Sequence, residues 1–481
     1  MLLNRLTPLL EKHLIPAQAG FRPGKSCTSQ TLNLVQTIED GFESKKITGV
    51  VFVDLTAAYD TVNIRRLLAK VHNLTNDQGF VCILRDILNN RRFQVHLDRN
   101  KSRWRVQKNG LPQGSVLAPA LFNIYTNDQP KTPNTRQFLY ADDLALAAQA
   151  PGFEEVESLL KTALNALDSY YDANALKPNP SKTQSCAFHL RNREANRPLQ
   201  ISWRGVHIEH CPHPRYLGVT LDRSLTFKAH CLYTKQKVYA RNNLLRRLTR
   251  SYWGASSQVL RTTGLALSFS AGEYACPVWH RSAYAKEVDI ALNETCRIIT
   301  GCLKPTPLNK VYPLAGIAPP KVRREVACSV EKLCQEKDPR HPLYGYTAPR
   351  ARLKSRHSFI KATTALDSDP SRARERLWQT NHPPPPDFVP PKECLPAGYN
   401  LQWPTWKSLN RLRSQVGRCK EHLVKWGYAL KDESTCDCGV NPQTMAHLLS
   451  CPKCPFTCSY DDLIRATDTA VNVAKYWQNM I

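Results

Sequence analysis

Two adjacent aspartates at the tip of an apolar run constrain this chain more than any other feature. Phe138-Leu139-Tyr140 leads into Ala141-Asp142-Asp143, and Leu144-Ala145-Leu146-Ala147-Ala148 leads away. The pattern predicts a strand, a tight turn and a second strand, with both acids at the bend. Like charges side by side repel, and a divalent cation relieves them. Hard carboxylate oxygens suit Mg²⁺. A solvated Asp-Asp turn is the plain alternative, so the tetrad takes its meaning from what precedes it.

Upstream, the apolar run Gly49 to Val53 predicts a strand that delivers Asp54 at its end. Asp54 and Asp142 are far apart in sequence, so only a folded sheet brings them together. Three carboxylates (Asp54, Asp142 and Asp143) around two Mg²⁺ ions suit an in-line phosphoryl displacement. One metal would activate the attacking oxygen and the other stabilise the leaving group. Asp60 is expected to cap the helix that follows. Between these acids, Asn109 to Pro119 is a Gly/Pro-punctuated loop running into an apolar helix, Ala120 to Tyr125. Its glycines, Gly110 and Gly114, let backbone approach a ligand closely. Gln113 offers both donor and acceptor groups to a base or sugar.

Taken in order, Phe52–Asp60, Asn109–Asn123 and Phe138–Ala147 resemble the palm of a reverse transcriptase. Their wording resembles non-LTR retrotransposons of the LINE class, jockey-like elements especially. Gln18-Ala19-Gly20-Phe21-Arg22-Pro23-Gly24-Lys25-Ser26 resembles the fingers motif of those enzymes. Leu176 to Thr183 resembles the motif after the catalytic hairpin, and Tyr216 to Asp222 the primer-grip segment. The resemblance implies an α+β fold: a right-hand polymerase palm with partial fingers, a helical thumb and a small C-terminal zinc-knuckle region. It implies RNA-directed DNA synthesis, in which a primer 3′-hydroxyl attacks the α-phosphate of a dNTP. Template RNA, primer or target DNA and dNTPs are the implied partners.

Tyr59 stands where the family places an aromatic that blocks a ribose 2′-hydroxyl. Tyr140 stands where RNA-directed RNA polymerases typically carry Gly, so both favour DNA synthesis. Tyr59, Gln113 and Gly114 are the implied walls of the dNTP pocket. Arg22 and Lys25 flank Gly24 and offer a planar fork and a point charge to an incoming triphosphate. Lys182 follows an amphipathic helix marked by Leu160, Leu164, Leu167 and Tyr171, which Pro178 and Pro180 are expected to end. It is the implied general acid for the leaving pyrophosphate. The plain readings are a core aromatic for Tyr59, a basic surface loop for Arg22 and Lys25, and a surface lysine for Lys182.

Charge agrees with a polyanionic partner. The chain carries 66 Lys and Arg against 40 Asp and Glu, a formal charge of +26, and such an excess makes binding salt-dependent. From Phe227 to Arg250 there are seven Lys or Arg and no acid, interleaved with Tyr233, Tyr239, Leu244, Leu245 and Leu248. That predicts a thumb helix with one face packed inward and the other along a nucleic-acid backbone. A solvated charged face is the alternative.

A length of 481 residues predicts two or three domains. Residues 1–223 are expected to form partial fingers and palm, and 224–340 a helical thumb and extension. Residues 341–400 read as a stiff, poorly ordered Pro-rich linker, and 401–481 as a basic, zinc-binding tail. Helices are expected over Gln258–Ala271 and Tyr284–Leu303, with Trp253 and Trp279 available for packing. No apolar run is long enough for a membrane helix, and Asn4 and Arg5 interrupt any signal-peptide core. The 17 cysteines are dispersed and odd in number. Cys82, Cys186 and Cys276 sit in apolar contexts, which predicts reduced, buried thiols in an intracellular protein. As a ribonucleoprotein it would occupy nucleus and cytoplasm.

The tail carries a second chemical signal. Cys436 and Cys438, then His447 and Cys451, offer three thiolates and one imidazole, a set suited to one closed structural Zn²⁺ site. Gly439 permits the tight turn such a loop needs, and Met445 to Leu449 is expected to be a short helix carrying His447. Cys454 and Cys458 are rival fourth ligands. The block resembles the C-terminal zinc knuckle of jockey-like elements, which implies a grip on template RNA or target DNA. Family members carry another basic fingers block before the point where this chain begins, so Leu3-Asn4-Arg5-Leu6 is expected to open midway through the fingers. The competing reading is a truncated copy that binds nucleic acid and catalyses nothing. A group II intron-type maturase is disfavoured by the tail.

Overall fold

The apolar run Ile47–Val53 forms β1, the central strand of a five-stranded sheet. Its companions are β2 (Thr135–Tyr140), β3 (Asp143–Ala150), β4 (Gln184–Phe188) and β5 (Glu209–His210). The order across the sheet is β5-β4-β1-β3-β2. All pairings are antiparallel except β5 with β4. The computed structural model of the chain describes residues 1–250, 253–348, 352, 353, 356, 358–367 and 369–481.

Both faces of β1 are covered, which is why its sequence lacks polar alternation. The helix Phe153–Ala173 lies on the face of Gly49, where a side chain would overlap Val156. The helix Cys27–Glu43 lies on the opposite face, where the Thr48 hydroxyl approaches Gly41. That helix starts at Ser26, whose side chain accepts from the Ser29 amide in a capping box. Ile47, Val50 and Val51 are fully buried, each worth roughly 1.5–3 kcal/mol of burial. The covering layers therefore fix the strand whose end bears Asp54.

Two compact units divide the described chain. The first comprises Met1–Ala229 with Glu331–Thr363, the second His230–Val330 with Thr364–Ile481. Among its described residues, the span 341–400 is not an open linker. In the first unit Tyr346 donates to Asp40 at 2.7 Å. In the second, Asp369 caps a helix over Pro370–Asn381, Trp378 is fully buried and Arg374 pairs with Glu393 at 2.7 Å. Trp378, Phe388 and Val389 supply burial that the proline content conceals. Residues 349–351, 354, 355, 357 and 368 of the expected linker lie outside the described residues.

Other expectations shift in detail. Lys228–Arg247 is a helix, but its buried stripe is Cys231, Thr234, Val238, Asn242 and Leu245, while Tyr233 and Leu244 are exposed. The reason is Asn242. Its amide donates to the Ala291 carbonyl at 2.9 Å and accepts from Ser268 at 3.0 Å and Thr295 at 2.8 Å. A buried amide satisfied three times sets which face turns inward. Lys235 and Arg246 on the outer face pair with Glu287 and Glu294. Trp279 is buried as expected, whereas Trp253 is 55% exposed.

Asp60 caps nothing. It lies within the short helix Ala58–Thr61, and Asn63 caps the next helix by accepting from the Arg66 amide. The helix Phe153–Ala173 ends before the prolines, at Asn174 and a left-handed Ala175. All 17 cysteines are free; Cys186 and Cys276 are buried and Cys82 is half-buried. Among the described residues no helix is long and apolar enough to cross a membrane.

Candidate active site

The β1–β3 register sets Val53 opposite Leu144. Carried one step further, it sets Asp54 opposite Asp143. Strands β2 and β3 close on the pair Tyr140 and Asp143, so Ala141 and Asp142 make the whole turn. Ala141 takes a left-handed φ of 57° to do so. The three predicted carboxylates therefore meet at one end of the sheet. Asp143 opens toward solvent, yet the surrounding chain withdraws water from its carboxyl. That desolvation, then the charges of Asp142 and Asp54, push its pKa up to about 6. Desolvation and Asp54 also raise Asp142, against a hydrogen bond in its own backbone. A crowded acid cluster of this kind favours a bound cation.

Lys182 joins them. Asp54, Asp143 and Lys182 line one cleft of about 150 Å³, together with Gln184, Arg215 and Tyr216. The loop bearing Lys182 is tied to the end of β1. The Asn179 amide donates to the Asp54 carbonyl at 2.8 Å, and the Asp54 amide donates to the Thr183 hydroxyl at 3.2 Å.

Gln18 and Gly20 act on the Ala141-Asp142 turn in a way the residue pattern did not disclose. Gln18 is 2% exposed. Its Oε1 accepts from the Ala141 amide at 2.9 Å, and its Nε2 donates to the Ala141 carbonyl at 3.2 Å. Gly20 presses against the same turn, where a methyl would overlap the Ala141 nitrogen. The one available signal was a polar residue inside a motif otherwise assigned to basic contacts.

The family model for reverse transcriptase (RNA-dependent DNA polymerase) matches residues 1–221. Residues 1–221 are a reverse transcriptase domain. Among curated relatives, the chain is 31% identical over 316 residues to the probable RNA-directed DNA polymerase from transposon BS of Drosophila melanogaster. That match covers 63% of this chain and 34% of the relative. It is 30% identical over 246 residues to the RNA-directed DNA polymerase from mobile element jockey of the same species, covering 49% and 26%. The chain thus spans about a third or less of the length of these relatives. Apo telomerase from Candida tropicalis aligns at a TM-score of 0.35 and 11% identity, over 62% of this chain and 49% of that one. So slight a likeness carries no argument.

Within the reverse transcriptase domain, Tyr59 stacks on Phe122 with ring centroids 4.5 Å apart and 12° between planes. Desolvation, then Asp142, push its phenol up to about 12. It is therefore both packed on the core and close enough to the acids to feel them. Gln113 donates to Asp60 at 3.4 Å. Gly114 has φ +84° and nothing within 4 Å of where a Cβ would stand, leaving open space above the loop.

Arg22 and Lys25 are not brought into the carboxylate cleft. Arg22 pairs with Glu11 at 2.9 Å, donates to the carbonyls of Ile15 and Gln18, and is only 7% exposed. Its fork is spent on fixing the loop. Lys25 lines a separate cavity.

In the second unit the ligand atoms of Cys436, Cys438, His447 and Cys451 all lie within 4.8 Å of one another. Cys436 and Cys451 sulfurs are 3.7 Å apart, and Cys438 Sγ is 3.2 Å from His447 Nε2. His447 begins a short 3₁₀ turn over His447–Leu449. Cys454 and Cys458 stay outside the quartet, and Cys454 is buried in a core with Leu448 and Trp477.

Proposed function

We propose that this chain is an RNA-directed DNA polymerase that extends a primer 3′-hydroxyl in retrotransposon copying. The observation that carries the reading is the meeting of Asp54, Asp142 and Asp143 beside one cleft of a reverse transcriptase domain. Their all-oxygen donor set and mutual repulsion fit Mg²⁺. Two such ions would supply activation of the attacking hydroxyl and neutralisation of the leaving pyrophosphate. Asp54, Asp142 and Asp143 would hold them. Lys182, lining the same cleft, holds a proton for the pyrophosphate. Tyr59, stacked on Phe122 and within reach of the charge of Asp142, would exclude a 2′-hydroxyl by contact. Gln113, above the open turn at Gly114, bonds the base or sugar.

In this reading residues 1–223 act as fingers and palm, and 224–340 as a thumb with its extension. The Cys436, Cys438, His447, Cys451 quartet fits one structural Zn²⁺, with all four positions filled by protein. The tail then grips template RNA or target DNA and takes no chemical step. Residence in nucleus and cytoplasm as a ribonucleoprotein belongs to the same proposal.

The test is Mg²⁺-dependent dNTP incorporation on a primed RNA template, wild type against Asp142→Asn/Asp143→Asn. Incorporation by wild type that the double variant loses supports the reading. A wild type that binds primer-template and incorporates nothing leaves only nucleic-acid binding.

A further inference from the structure

The cavity that receives Lys25 contains none of the three carboxylates. It measures about 1120 Å³ and is walled by Glu11–Ala17, the loop Arg22–Lys25, the start of β2 and residues 339–344, all within the first unit. Sites built around one small molecule usually occupy roughly 300–1,000 Å³. This one is larger and open.

Its walls are of one sign. Lys12, Lys25, Lys131, Arg136 and Arg340 line it, and the only acid among its described lining residues is Glu11, already paired with Arg22 at 2.9 Å. Arg340 shares Asp338 at 2.7 Å. Arg136 donates to Thr37 at 2.9 Å and Asn33 at 2.6 Å, neutral acceptors that leave its charge in place. Asp40 acts on Arg136 only at longer range. Lys25 is half-buried. Desolvation, then Arg22, hold its ammonium down to about 8, against weaker support from Glu11 and Asp338. These cations gain most from an arriving anion.

Tyr344 adds an aromatic ring, 48% exposed, to the same wall. Unneutralised cations beside an open aromatic are the chemistry that grips a single strand, with phosphates on the charges and a base on the ring. A mononucleotide triphosphate is less well matched, because the charges are spread around a broad wall with no carboxylate pair to share a metal.

We propose that this cavity binds a single-stranded nucleic-acid segment outside the catalytic cleft, its phosphates on Lys12, Lys25 and Lys131 and a base on Tyr344. The inference rests on the nucleic-acid chemistry of the proposed function but not on catalysis. The occupied wall is coupled to the carboxylates through backbone. Leu139 donates to Ala17 at 3.1 Å, Ala19 donates to Leu139 at 2.9 Å, and Gln18 between them holds the Asp142 turn.

The experiment is anisotropy of a dye-labelled oligoadenylate RNA with the full chain across a salt series. Each phosphate contact to a single strand contributes about 0.7 to the slope of log affinity against log salt. Lys25→Ala/Lys131→Ala should make that slope shallower by about 1.4, and ultraviolet crosslinking should attach the RNA to the peptide bearing Tyr344. The Asp142→Asn/Asp143→Asn chain should bind as wild type does, so loss of polymerase activity and loss of this site are told apart. An unchanged slope in a folded double-lysine variant overturns the proposal. So does displacement of the RNA by dNTP or inorganic triphosphate as effectively as by unlabelled RNA.

Discussion

The carboxylate cluster and the cysteine-histidine quartet both offer ligands to metal, yet they are assembled in opposite ways. Asp54 and Asp142-Asp143 come from distant segments and meet because antiparallel register puts strand ends together. The covered strands hold them close even though the acids repel. The quartet lies within one short stretch, Cys436 to Cys451, folded by local contacts. Cys436 donates to the Val440 carbonyl at 2.7 Å, and Gly439 donates to Cys436 at 2.8 Å across a φ of +92°. Its supporting core is small, with Leu409, Leu412, Leu448 and Trp477 among its members. A preformed, repulsive site keeps its shape without an ion. A local loop site with a thin core takes part of its stability from the ion it binds.

The largest effect should separate the two at once. Asp54→Asn is expected to cut dNTP incorporation by at least about a thousand-fold while the melting temperature of the chain holds or rises. A fall in melting with activity retained would make the acids structural and break the comparison. Next, Cys436→Ser or zinc chelation should loosen residues 415–458 by several kcal/mol, of the order seen for structural zinc sites. Hydrogen exchange would report it, with amides of β1 and β3 unmoved. Equal loosening of the sheet would mean that the quartet's stability is not local.

A smaller effect tests the support of the Ala141-Asp142 turn. Gln18→Ala removes both bonds to Ala141 and should lower kcat by roughly 10–100-fold with primer-template affinity unchanged. A change confined to affinity would assign Gln18 to binding instead. Smallest is the pH response. The folded pKa of Asp143, about 6, lies above its ordinary 3.8, so the folded state holds the proton more tightly. Its contribution to metal-free stability is full below about pH 4 and is lost as pH rises through 6. Urea melts across that window should show the loss in wild type and a flatter profile in Asp143→Asn; identical profiles would mean that the acids are not crowded.

How much was legible in the residues follows the same division. The hairpin, the strand ending at Asp54 and the quartet are written as local patterns: apolar runs stopped by acids, and ligands spaced along one loop. Arg22 misled, because its partner Glu11 sits on a separate helix and only packing unites them. The helix over Lys228–Arg247 misled as well: Tyr233 and Leu244, read among its apolar residues, are exposed, and Asn242, held by three partners from two other segments, turns inward. The proline-rich span hid Trp378, which is fully buried.

The order of blocks along the chain pointed by itself to a reverse transcriptase domain, which the family match places at residues 1–221, because each block is a run of consecutive residues. Tertiary structure alone decided which side chains share a space. It joined Lys182 to the acids through Asn179 and Thr183, turned Gln18 onto the Ala141 backbone, and sent Lys25 into a separate, basic cavity. The physical reason is range. Strand periodicity and ligand spacing act over neighbouring residues, whereas charge pairing and desolvation depend on whatever the fold brings within a few ångströms.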